Sequence, residues 1–133
     1  MKVRCERIFD PPTGQPRTEV ASHRSISIGE EYVVLSINVD ASDGVTLQLL
    51  TQPDVNPSWW SADMFAVTDS RIPSNWRIQL TENGVYVAPA AWQELSYWEG
   101  FFEASAVTPE ERRAIYSSYQ RELALILREA MDG

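Results

Sequence analysis

Apolar and polar positions alternate through the first two thirds of the chain and then shift to a helical period. Tyr32 to Val39 is the clearest strand, with Val33, Leu35, Ile37 and Val39 on one face and Ser36 and Asn38 on the other. Asp40-Ala41-Ser42-Asp43-Gly44 carries a turn signature, with Gly44 suited to positive φ. Val45 to Thr51 returns as a second strand, placing Val45, Leu47 and Leu49 on the core face. Trp76, Ile78 and Leu80 alternate with Arg77, Gln79 and Thr81, predicting a half-buried strand. Glu82-Asn83-Gly84 then predicts a type I′ hairpin into Val85-Tyr86-Val87. Shorter strands are expected over residues 2–9 and 64–68, and a short alternating run at 25–28 with a tight turn at Gly29. Asp10 to Pro16 and Gln52 to Ser58 read as loops, because prolines break any ladder.

The period changes at Pro89. Ala91, Leu95, Trp98 and Phe102 recur at helical spacing, with Gly100 able to bend the segment. Thr108-Pro109-Glu110-Glu111 is a capping-box pattern with Thr108 as N-cap and Pro109 at the first helical position. The helix it opens lays Tyr116, Tyr119, Leu123, Ile126, Leu127 and Ala130 on one face. Strands first and helices after give an α+β class: one domain over 1–133, strands to residue 88 and helices from 89. Short strands at close spacing predict a small antiparallel barrel or a strongly bent sheet, followed by two helical segments.

Charge sharpens this picture. The chain carries 11 Lys and Arg against 19 Asp and Glu, a formal −8. Residues 25–70 contain no Lys or Arg and seven acids, so that block alone holds −7. A one-signed block on a folded domain makes a directed field that suits a basic protein partner. It argues against nucleic acid as a direct ligand, since phosphate binding needs a basic surface. No stretch has the roughly 18 apolar residues of a membrane span. With one cysteine, no apolar signal region and no internal disulfide, the expected location is the cytoplasm.

Candidate chemistry is sparse. His23 and Cys5 are single, so a triad lacks its parts, and a zinc site would need carboxylate help. No phosphate-cradling glycine motif occurs. Asp40 and Asp43 are too sparse for a calcium loop, and turn carboxylates are ordinarily solvated and poor general acids. The expectation is a protein that is not an enzyme and takes no metal or cofactor. Trp59 and Trp60 stand out: neighbours on an extended chain face opposite ways, so one is expected to be exposed as an interface anchor or to cap the end of the barrel.

The run Gly29-Glu30-Glu31-Tyr32-Val33-Val34-Leu35-Ser36-Ile37, a hairpin, Phe65-Ala66-Val67-Thr68-Asp69 and Ile72-Pro73-Ser74-Asn75-Trp76 resembles small bacterial proteins with an SH3-like barrel. Continued by Trp92, Trp98-Glu99-Gly100-Phe101-Phe102-Glu103 and a terminal helix, it resembles immunity proteins of bacterial polymorphic toxin and contact-dependent inhibition systems, over residues 26–130. The resemblance implies a cytoplasmic protein that binds and neutralises one cognate toxin, with no fixed binding residues. The expected contact surface is Glu30, Glu31, Asp40, Asp43, Asp54, Trp59, Trp60 and Asp63. The rival readings are a structural or adaptor subunit of a mobile-element or phage-like assembly, and a small-ligand-binding barrel.

Overall fold

The computed structural model describes residues 1–10, 18–51, 56–94 and 96–132, with Asp10 described by its backbone alone. The proline-rich loop at 11–16, most of the loop at 52–58, Asp54 and Leu95 therefore lie outside the described residues. The strands are β1 (Lys2–Cys5), β2 (Ile8–Asp10), β3 (Thr18–Val20), β4 (Glu31–Asp40), β5 (Gly44–Leu49), β6 (Ser58–Ser61), β7 (Phe65–Asp69), β8 (Trp76–Thr81) and β9 (Gly84–Pro89). The α-helices are α1 (Tyr97–Phe102) and α2 (Pro109–Met131).

Everything is hung on β4, a ten-residue strand. One of its edges pairs with β5 along most of its length. The other edge is shared, with β1 beside its first half and β9 beside its second. Outward from these, β6 joins β5, β7 joins β1 and β8 joins β9, and every pairing is antiparallel. Among the described residues β6 and β7 do not pair. They are connected through a single helical turn at Ala62–Met64, so the sheet is open. The protein is thus α+β, a mostly antiparallel open sheet followed by two helices. β2 and β3 form a separate ribbon. The run expected as one strand over 2–9 is divided into β1 and β2.

Several expectations change once neighbours are in place. A bulge between Val34 and Ser36 breaks the simple alternation of β4, so Val34, Leu35 and Ser36 are all buried. The Ser36 hydroxyl then donates to Gln48 Oε1 at 2.8 Å, a polar pair enclosed in the sheet. Ser-Trp-Trp-Ser forms strand β6, which the sequence pattern did not predict. Residues 25–28 are not a strand; Ile26 is core and Ile28 is exposed. Gly29 and Gly44 adopt φ of 90° and 76°, as their turns require. The hairpin at Glu82-Asn83 is present, but neither residue has positive φ, so it is not type I′. Gly84 is needed for another reason: a Cβ there would sit 1.8 Å from the Val39 carbonyl oxygen.

The helical half keeps its caps and changes its faces. Pro89 ends β9, and Ala90–Gln93 forms one short turn. Ser96 takes φ 66° before α1, which interrupts the expected period. Tyr97 and Phe101 are buried from α1, while Phe102 is exposed. Gly100 lies inside α1, where a Cβ would approach Ile115 Cδ1 at 2.6 Å, so its role is close helix packing. The capping box at Thr108 and Glu111 forms in both directions. From α2, Tyr119, Ile126 and Ala130 are buried, whereas Tyr116 is exposed. Trp92 stacks on Tyr119 at 5.4 Å and meets Trp98 edge-on at 5.4 Å, closing the helices over the sheet. One apolar cluster runs from Val3 and Cys5 through Leu49 and Trp76 to Ile126.

The loop between β7 and β8 clamps the end of α2. Ser74 donates its amide and its hydroxyl to Glu129, at 2.7 and 2.5 Å. Asn75 Nδ2 donates to Glu122 Oε2 at 2.8 Å, and Arg71 bonds the Asp132 carbonyl while pairing with Asp69. The Ser74 hydroxyl and amide hold the Glu129 carboxyl below its ordinary range, and the Arg71 side chain does the same for Asp69. A carboxylate with a depressed folded-state pKa contributes stability above its unfolded pKa and loses it as pH falls through the folded value. The expected melting temperature is therefore level from neutral pH down to about pH 5 and falls below about pH 4, near the ordinary carboxylate range. Glu129→Gln should lower the melting temperature at pH 7 and flatten the acid decline, as a thermal series from pH 7 to 3 would read. An unchanged decline would remove Glu129 from the clamp.

Candidate partner-binding site

The expected acidic surface is dispersed by the fold. Glu30 and Glu31 stand at the start of β4, while Asp40 ends it and Asp43 lies in the turn that follows. A ten-residue strand separates them by about 30 Å. Glu31 accepts from Thr68 Oγ1 at 2.6 Å and faces Lys2 Nζ at 3.9 Å, so part of its charge is answered locally. Asp40 Oδ1 accepts from the Ser42 hydroxyl at 2.5 Å and the Ser42 amide at 2.8 Å. Those bonds shape the turn and pull its carboxyl below the ordinary range. Asp43 and Glu30 are exposed. Asp63 follows β6, accepts from Ser61 Oγ at 2.8 Å, and through its carbonyl holds Arg7 at 3.2 Å.

The tryptophan pair is divided between two environments, as opposite-facing neighbours must be. Trp60 is 4% exposed, donates to Ser58 Oγ at 2.7 Å and takes the edge of His23 at 5.1 Å. It belongs to the core and offers no contact surface. Trp59 is half-buried on the other face of β6. His23 Nδ1 accepts from the Ser25 amide at 3.0 Å, and the Cys5 thiol points at the Arg7 carbonyl at 3.5 Å. Burial pushes the Cys5 thiol pKa up, which disfavours a thiolate nucleophile. No group of three or more His, Cys, Asp or Glu able to hold a metal occurs among the described residues.

What the fold does assemble is the sheet end near the two hairpins. The registers Val39↔Val45, Val39↔Val85 and Leu80↔Val85 place Val45, Val39, Val85 and Leu80 in one row across β5, β4, β9 and β8. The next row, Leu47, Ile37, Val87 and Ile78, lies on the same face. The sequence predicts this face as core, and the inner residue Leu47 is buried. At the periphery, however, Val39 is 37% exposed, Val45 40%, Ile78 73% and Leu80 80%. The pattern of alternation is right and the burial is not, because β8 is the outer strand of this hairpin and Ile78 and Leu80 stay largely exposed among the described residues. Beside the apolar rows stand the acidic turn residues Asp43 and Glu82, both exposed.

The opposite face of the same strands is polar and aromatic. Asn38, Thr46, Thr81, Trp59, Tyr86 and, from α1, Trp98 line an open cleft of about 320 Å³. Trp98 Nε1 donates to Tyr86 Oη at 3.2 Å, and the Trp59 and Tyr86 rings lie 6.1 Å apart at 48°. Burial raises the Tyr86 pKa, so its hydroxyl stays protonated at neutral pH. Sequence reasoning missed Ile78 and Leu80 as surface and missed the cleft altogether. A usable signal was the run of polar residues at same-facing positions, Ser36 and Asn38 with Thr46 and Gln48, opposed by a single aromatic of matching parity, Tyr86.

No helix among the described residues is long and apolar enough to cross a membrane. No protein-family model, curated protein or solved structure matches this chain.

Proposed function

We propose that this chain is a protein-binding module of the immunity type, which neutralises a basic cognate toxin in the cytoplasm by covering it. The observation that carries the reading is the uncovered apolar face of Val39, Val45, Ile78 and Leu80 with Asp43 and Glu82 at its margin. An apolar centre with a polar, charged rim is the anatomy of a protein interface. The chain's −8 charge and the acids of the rim favour a basic occupant over a second, equally acidic copy. The SH3-like layout belongs to the same proposal: the all-antiparallel pairing and the single turn between β6 and β7 support it, although the sheet is open. Glu30, Glu31 and Asp63 contribute to the long-range field in this reading, not to the contact.

The test is affinity capture from the native cells at low and moderate salt, followed by co-expression. The expected result is one basic protein, released as salt rises, whose toxicity when expressed alone is relieved by this chain. Capture of further copies of this chain alone, with defined oligomers in solution, would overturn the proposal in favour of the adaptor reading, for which the edge of β8, unpaired among the described residues, is the supporting observation.

A further inference from the structure

We propose that the cleft lined by Trp59, Tyr86 and Trp98 is a binding site for an organic cation, a guanidinium or alkylammonium group, presented as a side chain by the partner. Three aromatic side chains converge on one small cleft, and the remaining lining is Asn38, Thr46 and Thr81. The volume of about 320 Å³ is at the lower limit of small-molecule sites, so it suits one side chain or a compact ligand. Aromatic faces carry negative potential and attract cations best where water is partly excluded. The amide of Asn38 and the two hydroxyls can accept hydrogen bonds from N–H groups.

The surrounding charge decides between a cation and a neutral ring or sugar, which the same walls could stack. No Lys or Arg lies among the described lining residues. Asp40 pairs with Gly84 on one side and Gly44 on the other, and Gly84 pairs with Thr81, so the row of strand positions bordering the cleft carries a carboxylate of the same parity as Asn38. Glu82 follows Thr81 directly. A neutral ligand gains nothing from this field, and an anion is repelled by it. On the same face, Gln48 neighbours both Ser36 and Trp59 in register and is fully buried, with its Nε2 unpartnered among the described residues. Ser36 bonds Gln48 at 2.8 Å and also bonds the Tyr86 hydroxyl, so this buried polar pair reaches one of the aromatic walls.

The cleft and the apolar face share strand β8, since Thr81 looks to one side and Leu80 to the other. A partner gripping this edge could seat a basic side chain in the cleft while covering Leu80. That choice of carrier rests on the proposed function, whereas the cation site does not.

The experiment is a titration of the full chain, labelled with ¹⁵N, read at the indole N–H signals of Trp59 and Trp98. The probes are Nα-acetyl-arginine amide, its neutral isostere Nα-acetyl-citrulline amide, and methyl glucoside. Saturable shifts with arginine amide, at least tenfold weaker with citrulline amide, are expected. Thr81→Lys, an exposed position that leaves the aromatic walls intact, should weaken arginine binding at least tenfold. Trp59→Ala should do the same, and the lysine variant keeps the test informative if the alanine variant misfolds. An equal response to citrulline amide, a response to methyl glucoside alone, or unmoved indole signals would overturn the site. If arginine amide binds but Thr81→Lys leaves the affinity for the captured toxin unchanged, the cleft serves a free cation and the side-chain carrier is wrong. If the cation binds and no toxin is captured, the proposed function fails and the site stands.

Discussion

Leu80→Lys is expected to weaken binding of the captured partner at least about a hundredfold, the loss of roughly 3 kcal/mol typical of an interface hot spot. Leu80 is 80% exposed and projects from the outer strand of the β8–β9 hairpin. Its side chain therefore contributes little to the fold, and an edge lysine is well tolerated in a strand. The substitution removes the most exposed apolar group of the face and sets a like charge against a basic surface. Folding should be almost unchanged, within about 0.5 kcal/mol, as for most exposed positions. Val67→Lys supplies the control, because Val67 is 56% exposed but lies on β7, across the sheet from the hairpins. Isothermal titration of the three proteins decides the matter. Affinities for Leu80→Lys and Val67→Lys within threefold of the parent would exclude the hairpin face as the interface.

The second large effect concerns the joint on which both faces depend. Gly84→Ala should destabilise the protein by about 3 kcal/mol, the upper part of the overpacking range. For a domain of this size that corresponds to a fall in melting temperature of roughly 10 °C. A Cβ at Gly84 would lie 1.8 Å from the Val39 carbonyl oxygen and 2.8 Å from its carbon, both backbone atoms of the central strand. Neither can rotate aside, so β9 must move away from β4 at the Asp40↔Gly84 pair. The hydrogen bond from the Ala41 amide to the Asn83 carbonyl, 2.9 Å, joins the two hairpins at the same place and would be strained with it. Gly44→Ala provides the comparison. Gly44 has open space around its would-be Cβ and meets only the penalty of φ 76°, about 1 kcal/mol. Gly84→Ala should therefore melt well below Gly44→Ala in a thermal scan. The reverse order would mean that β9 docks on β4 more loosely than its register implies. Because β9 carries Tyr86 and flanks Leu80, Gly84→Ala should also impair both binding surfaces, unlike Gly44→Ala.

The local features of this chain follow from short-range chemistry. The strand from Tyr32 to Val39, the turns at Gly29 and Gly44, the strand from Trp76 to Thr81, and the capping box of Thr108 and Glu111 are all legible in the sequence. Each depends on residues within a few positions of one another, where periodicity, glycine conformation and side-chain reach operate directly. The α+β class follows too, because strands precede helices along the chain. The acidic block between residues 25 and 70 is likewise a property of the sequence alone.

The site required the tertiary structure. Alternation distinguishes two faces of a strand but does not tell which face another element will cover. Ile78 and Leu80 have the same pattern as buried Leu47 and Leu49, and only the outer position of β8 leaves them exposed. Seven acids in one stretch suggested one acidic surface, yet a strand about 30 Å long carries Glu31 and Asp40 to opposite ends. Trp59 and Trp60 are adjacent in sequence and reach separate environments because β6 adds to β5 as a strand, which fixes one ring in the core and the other in the cleft. Trp98 reaches that cleft from α1, which packs closely against α2 at Gly100, where a Cβ would meet Ile115. The sequence alone determined the α+β class, the main strands and caps, and the total charge, since those are local or additive. Which side chains meet, and which face is left open, was decided by long-range pairing, where burial depends on the neighbour and not on the residue.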